Sequence, residues 1–295
     1  MEEQAAKPPA ISVIVPHYQD LERLDLCLSA LMAQRCDRDF EVVVSDNASP
    51  CGETAVARVI AGRARLTVAT EKGAGPTRNA GVAASRGAVL AFTDSDCIPD
   101  PGWLAAGMAM LESCDFVGGK MIVLVPDAAR MNGVEAFESV FAFNNRRYVE
   151  QEGFTVTANL FCPRAVFDRV GGFRTGLSED LEWCHRATAA GYRIGYAESA
   201  VVGHPARADW VELVGKWRRI NAETFGLFLN RRRGRVRWAI RNLGLPLSVL
   251  AHAPVVMRSD AISGLSNRVR ALGTLARLRL WRMGDAYRLL LRRPS

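Results

Sequence analysis

The chain has 295 residues, enough for one large domain or a domain with an appendage, and 49% hydrophobic with 23% charged residues is ordinary for a globular protein. Its charge is uneven: residues 1–206 carry 19 Lys and Arg against 26 Asp and Glu, net −7, whereas residues 207–295 carry 19 against 5, net +14. The basic tail points to an anionic partner, lipid headgroups or nucleic acid. The seven cysteines (Cys27, Cys36, Cys51, Cys97, Cys114, Cys162 and Cys184) show no C-x-x-C spacing of a zinc or redox site, and an odd, scattered set fits a reducing cytosol better than a disulfide scaffold.

The N-terminal MEEQAAKPPA is polar, without the apolar core of a signal peptide. Ile11–Pro16 (ISVIVP) is a β-branched run ended by proline and predicts a buried strand. Leu21–Gln34, with Leu24, Leu28 and Leu31 at helical spacing, predicts a helix. Phe40–Ser45 predicts a second buried strand, Thr54–Gly62 a helix and Arg65–Ala69 a strand. Gly73–Gly87 (GAGPTRNAGVAASRG) is glycine-rich and then helical, and Ala88–Thr93 predicts another strand. This alternation argues for an α/β fold with a parallel sheet flanked by helices. In the tail, Asn242–Met257 is uncharged for 16 residues but is interrupted by Gly244, Pro246 and Pro254. A spanning helix needs about 20 predominantly apolar residues, so no transmembrane segment is expected, although this stretch could dip into an interface. Val269, Leu272, Ala276, Leu280, Met283, Tyr287 and Leu290 recur every three or four residues among arginines, the pattern of a basic amphipathic helix.

Ligands of such sheets bind beyond the carboxyl ends of the strands. Three predicted strands deliver polar residues there: His17 and Tyr18, Asp46 and Asn47, and Asp94 with Asp96. Asp94-Ser95-Asp96 offers two carboxylates suited to one hard divalent cation, with a nucleotide diphosphate as natural co-ligand. Such a cation would neutralise a departing diphosphate. Asp46-Asn47 offers an acceptor to a nucleobase, but taken alone the pair reads first as an Asx-turn or helix cap. Arg78 stands in a glycine-bearing segment before a helix, where anions are attracted, but the spacing is not a dinucleotide fingerprint. Ser178-Glu179-Asp180 reads both as a helix start and as a source of a general base for an acceptor hydroxyl. His204 offers a third metal ligand or a structural imidazole.

In their order, ISVIVPHYQD, EVVVSDNAS, GAGPTRNAG, FTDSDCIPDPGWL, TANLFCPRAVFDRVGGF and SEDLEWCHRATAAGYRIGYAESAVVGH resemble glycosyltransferase family 2, whose fold is GT-A. The resemblance covers roughly residues 10–206 and implies a Rossmann-like catalytic domain there, with residues 207–295 as a basic helical extension. It further implies an inverting transfer from a nucleotide-diphosphate sugar, UDP-linked by default, with Mn²⁺ or Mg²⁺. By matching position, Pro16 and Tyr18 would edge the nucleotide pocket, with Asn47 and Ser95 beside it. Asp46 would bind the base, and Arg78 base or phosphate. Asp94 would lie near ribose and metal, Asp96 would bind the metal, and His204 would contact metal or diphosphate. Asp180 would be the catalytic base, with Glu179 the next candidate, and Thr157–Arg164 would lie near the acceptor sugar. Lys216-Trp217-Arg218-Arg219 only loosely echoes the Q-x-x-R-W motif of processive synthases, so a transferase adding one sugar is expected.

A nucleotidyltransferase would want a G-x-G-x-R-type loop and a lysine after the first strand, where His17-Tyr18-Gln19-Asp20 stands instead. A non-enzymatic membrane- or nucleic-acid-binding protein would leave the acidic strand ends unexplained. The expected partners are therefore the donor, a glycan or lipid-linked acceptor and, for the tail, an anionic membrane surface, with no nucleic acid. The expected location is cytoplasmic, with the inner face of the plasma membrane as the surface the tail would meet.

Overall fold

The structure, a computed structural model, describes residues 7–175, 178–229 and 232–291. The first six residues of the N-terminal segment read above lie outside the described residues. The chain divides into two compact units, Met1–Ile122 with Asn144–His204 and Val123–Phe143 with Pro205–Ser295.

The first unit opens with the expected alternation: β1 (Ile11–His17), α1 (Leu21–Met32), β2 (Phe40–Asp46), α2 (Glu53–Ile60), β3 (Arg65–Val68), α3 (Ala74–Ala84) and β4 (Val89–Phe92). Ile11, Val13, Ile14 and Val15 are fully buried, as a strand covered on both faces requires. Asp20 caps α1 by accepting a hydrogen bond from the Arg23 amide. β1 pairs in parallel with β2 and β4, and β2 pairs in parallel with β3. α3 lies close on this layer because Gly81 faces Ile14, where a Cβ would come within 2.6 Å of the Ile14 Cγ2.

Next come β5 (Ile98–Pro99), α4 (Trp103–Leu111) and β6 (Phe116–Leu124); after α5 (Gly133–Phe141) and the one-turn α6 (Asn145–Arg147) follow β7 (Leu160–Pro163), α7 (Arg164–Val170), α8 (Glu179–Ala189) and β8 (Ile194–Pro205). Among the described residues, eight strands form one sheet in the order β3-β2-β1-β4-β7-β6-β8-β5. Its first half is parallel, and the β4–β7, β6–β7 and β5–β8 pairs are antiparallel. The core under α8 is aromatic: Trp183 packs against Phe116, Phe167 and Phe173 and donates its indole N–H to the Gly171 carbonyl at 3.0 Å. Burying side chains of this kind stabilises by about 1.5–3 kcal/mol each, and here it fixes the start of α8.

The second unit is helical: α5, α9 (Trp210–Leu229), α10 (Gly234–Leu243), α11 (Ser248–Arg258) and α12 (Leu265–Leu291). α5 comes from within the span expected to be catalytic, yet its Val134 and Phe137 pack on Leu213, Leu275 and Leu278 of the tail helices. α12 is helical over the expected region, but its buried stripe is Ala271, Leu275, Leu278, Arg282 and Ala286. Val269 and Leu280, counted in the expected apolar face, are 58% and 55% exposed. The seam is rotated because it takes in a charged side chain that hydropathy leaves out. Arg282 stacks its guanidinium 3.9 Å from the Trp217 ring centroid and reaches Asn221 Oδ1 at 3.3 Å.

Candidate active site

The carboxyl ends of β1, β2 and β4 bring His17, Asp46 and Asp94 to one edge of the sheet. Asp46 is 2% exposed. Its Oδ1 accepts from His17 Nδ1 at 2.8 Å and from Ser49 Oγ at 2.6 Å, and its Oδ2 accepts from the Ser49 amide at 2.8 Å. Burial alone would raise its pKa, but the bonds from Ser49 and His17 outweigh it and hold the carboxyl below its ordinary value. Asp46 thus braces the turn after β2 from below. Asn47, half-buried, accepts from the Gly73 amide at 3.1 Å and ties that turn to the start of α3. Tyr18 is exposed at the end of β1, beside the half-buried Pro16.

The turn after β4 gathers the metal candidates. Ligand atoms of Asp94, Asp96 and Cys97 lie within 4.8 Å of one another, and His204 Nε2 is 3.4 Å from Asp96 Oδ2. Burial and the neighbouring Asp94 raise the pKa of Asp96, against the pull of His204 and Arg23. Two carboxylates crowded in this way, with an imidazole beside them, suit a hard divalent cation. Cys97 is the odd member of that set, a soft sulfur ligand that suits a hard cation less well than the carboxylates do; without a metal, burial and both aspartates push its thiol well above its usual pKa. Ser95 is half-buried between the two carboxylates.

Arg78 joins this turn to α8. Its Nη2 donates to Asp94 Oδ1 at 2.6 Å and its Nη1 to Glu179 Oε1 at 2.8 Å. Burial would lower the guanidinium pKa, but the two carboxylates more than compensate and raise it. Asp180 follows on the first turn of α8, where its Oδ1 accepts from Ser178 Oγ at 2.8 Å and from the Leu181 amide at 2.7 Å. Burial raises its pKa, Glu179 adds to the rise, and the Ser178 and Leu181 hydrogen bonds and Arg78 oppose it. A carboxylate with a raised pKa is a stronger base than an exposed one.

The fold therefore brings Asp94, Asp96, His204, Arg78 and Glu179 into one connected group, with Asp180 adjoining Glu179. Asn159, in the segment expected near the acceptor, is fully buried and takes a structural part: it accepts from Trp103 Nε1 at 2.9 Å and donates to the Ala200 carbonyl at 2.9 Å. Sequence reasoning passed over Ser49, which holds Asp46, and Asn79, which holds α3 to Phe173 through two hydrogen bonds. Ser49 carried a readable signal, since a serine three residues after an aspartate is a turn pattern; Asn79 carried none. A separate cleft of about 490 Å³, lined by Thr70, Pro76, Asn79, Phe173 and Arg174 among others, contains none of these carboxylates.

Known proteins similar to this chain identify its family and fold. The model of the family described as "Glycosyl transferase family 2" matches residues 12–182. Glycosyltransferase AglE of Haloferax volcanii is 32% identical over 208 residues, covering 68% of each chain. The pre-mycofactocin glycosyltransferase of Mycobacterium tuberculosis is 31% identical over 153 residues, which are 48% of this chain and 32% of that protein. Among solved structures, mannosyltransferase PcManGT from Pyrobaculum calidifontis, in complex with GDP-Man and Mn²⁺, superposes with a TM-score of 0.55 at 20% identity, covering 97% of this chain and 86% of that one. S. aureus TarS 1–349 superposes with a TM-score of 0.50 at 19% identity, covering 95% and 89%. These two likenesses bear on the fold, which is GT-A. With a family model over more than half of its length and a relative above 30% identity, the chain belongs to glycosyltransferase family 2, and it is a glycosyltransferase.

Proposed function

We propose that this glycosyltransferase moves one sugar from a nucleoside-diphosphate sugar to a hydroxyl of a glycan or lipid-linked acceptor, with inversion at the anomeric carbon. The Arg78 bridge carries the proposal, because it gathers the carboxylates after β4 and the acidic first turn of α8 at one edge. In the proposed step the acceptor oxygen attacks the anomeric carbon on the face opposite the diphosphate. Its proton passes to the Asp180 carboxylate as the new bond forms. The bond from the anomeric carbon to the diphosphate breaks, and its electron pair leaves on the phosphate oxygen. A single displacement of this kind inverts the centre.

Asp94, Asp96 and His204 would hold Mn²⁺ or Mg²⁺, which would neutralise the charge of the leaving diphosphate. Asn47 and Tyr18 are the proposed nucleotide contacts, with Pro16 and Ser95 beside them and Asp46 acting through the turn it braces. Arg78 has Nη1 and Nη2 committed to carboxylates, so its proposed role is to position Asp94 and Glu179. A cytoplasmic location is the companion proposal, supported by seven free thiols.

UDP is the default nucleotide, and GDP is the second to test, since the mannosyltransferase PcManGT was solved in complex with GDP-Man and Mn²⁺. The test is a thermal melt with each nucleotide, with and without Mn²⁺, followed by donor turnover. Nucleotide and metal together should raise the melting temperature by mass action, and more than either alone. A melt indifferent to every nucleotide–metal pair would refute the reading.

A further inference from the structure

α10 carries two opposed faces. At about 100° per residue, Gly234, Trp238 and Asn242 fall on one side, and all three are buried. Trp238 packs on Phe225 and Phe228 and donates its indole N–H to the Ala286 carbonyl at 3.0 Å. Val236, Ile240 and Leu243 fall on the opposite side, where a helix of a water-soluble domain ordinarily carries charge. α11 repeats the arrangement: Val256 is buried, while Leu247 just before the helix, Leu250, Ala251 and Pro254 lie opposite it and are exposed. Val236, Ile240, Leu243, Leu247 and Leu250 are between 56% and 75% exposed. The two helices meet at a bend of 53°, so the exposed apolar residues follow one another around an elbow.

The charge around this elbow has one sign. No Asp or Glu stands between Glu223 and Asp260, an interval that holds seven arginines. Arg233 and Arg237 border the outer stripe of α10 and are exposed, as is Arg258 at the end of α11, while Arg241 lies nearer the buried face and stacks on Phe228. An apolar stripe bordered by arginines is the pattern of a segment lying at a bilayer interface, apolar side chains in the acyl boundary and guanidinium groups at anionic headgroups. No single helix among the described residues is long and apolar enough to cross a membrane, while α10 and α11 taken together, bent as they are, match a broken span or re-entrant loop in length and composition; the exposed arginines spaced along α10 favour a position at the headgroups over entry into the acyl core.

We propose that the α10–α11 elbow, and not the α12 helix, docks this protein on an anionic lipid bilayer. The inference does not rest on the proposed chemistry, since it concerns a surface of the helical unit and is read without donor or acceptor. The test is co-sedimentation of the full chain with phosphatidylglycerol vesicles and with phosphatidylcholine vesicles, at low and high salt. Wild type should bind phosphatidylglycerol at least tenfold more tightly than phosphatidylcholine, and salt should weaken that binding. The double variant Ile240→Glu with Leu250→Glu should abolish it; both positions are exposed, so the nucleotide-dependent melt should not move. Arg233→Gln with Arg237→Gln should weaken it by roughly fivefold per arginine, whereas Val269→Glu with Leu280→Glu on α12 should leave it unchanged. Equal binding by wild type and the Ile240/Leu250 variant overturns the proposal. So does a wild type that ignores vesicles but self-associates through these residues, or one that the α12 variant releases.

Discussion

One buried guanidinium connects two acidic elements on either side of the site: Arg78 donates to Asp94 at 2.6 Å and to Glu179, 101 residues away in the chain, at 2.8 Å. Removing one partner of a buried ion pair leaves the others uncompensated, at about 3–5 kcal/mol when burial is complete. Asp94 and Glu179 keep part of their surface in water, so Arg78→Met is expected to cost less, about 1–3 kcal/mol. Arg78 also lowers the pKa of Asp180, so the variant's acid limb of activity should move to higher pH. Urea denaturation and a pH–rate profile check the two effects. A variant as stable as wild type with an unmoved acid limb would remove Arg78 from this role.

Asp180 is the proposed base, and its raised pKa fixes the form of its pH dependence. The base works deprotonated, so transfer falls as pH drops through its pKa. That fall should occur at higher pH than for an ordinary aspartate. Asp180→Asn keeps the shape but takes no proton, and transfer should drop by about 10²–10⁴-fold. Nucleotide-dependent stabilisation should persist in the variant. Near wild-type transfer by Asp180→Asn would move the assignment to Glu179.

Asp96 is raised in pKa by burial and by Asp94, so the ionised side chain costs stability in the metal-free protein above that pKa. Asp96→Asn removes the cost. Without metal at neutral pH it should melt at or above the wild-type temperature, and it should lose the added stabilisation by Mn²⁺ with nucleotide. Melts with and without EDTA measure both. Retained Mn²⁺ stabilisation in the variant would place the cation elsewhere.

The parallel half of the sheet was legible because β1, β2 and β4 are apolar runs largely buried on both faces, and their ends carried the site. The antiparallel half was not, since β6 and β7 mix glycine, lysine and cysteine with apolar residues and give no regular period. Asp94, Asp96, Arg78 and Glu179 were legible as separate motifs. Their bridging was not, because a contact between residues 78 and 179 leaves no local trace. The helical unit was half legible: the length of α12 follows from its periodicity, but its seam depends on Arg282 stacking on Trp217, which a hydropathy pattern counts as solvent-facing.

A buried ionic cluster around Glu138 has no local signature in the sequence. Glu138 of α5 is buried; its Oε1 accepts from Arg207 Nη1 at 2.5 Å and its Oε2 from the Arg207 amide at 2.9 Å. Lys216 stands 3.7 Å from the same Oε1, beyond hydrogen-bonding distance, and is a second cation on a carboxylate already paired. Burial first and Arg207 next lower its pKa to about 8, and Glu138 only partly opposes them. A lysine lowered on folding makes the unfolded chain bind more protons, so stability contributed through it rises with pH between the folded and unfolded values. At pH 7 the charged side chain is therefore a cost, since every tenfold loss of proton affinity on folding corresponds to about 1.4 kcal/mol. Lys216→Met keeps most of the volume and removes the charge, so it should stabilise the protein by about 1–2 kcal/mol at pH 7. Its advantage should shrink as pH rises towards about 10, where wild-type Lys216 is neutral. Glu138→Gln should act oppositely, destabilising by about 2–4 kcal/mol, because it leaves Arg207 and Lys216 together without a counter-charge. Chemical denaturation of the three proteins at neutral pH and again above the lowered Lys216 pKa decides the matter: a Lys216→Met variant less stable than wild type at neutral pH would mean that attraction to Glu138, not desolvation, governs Lys216.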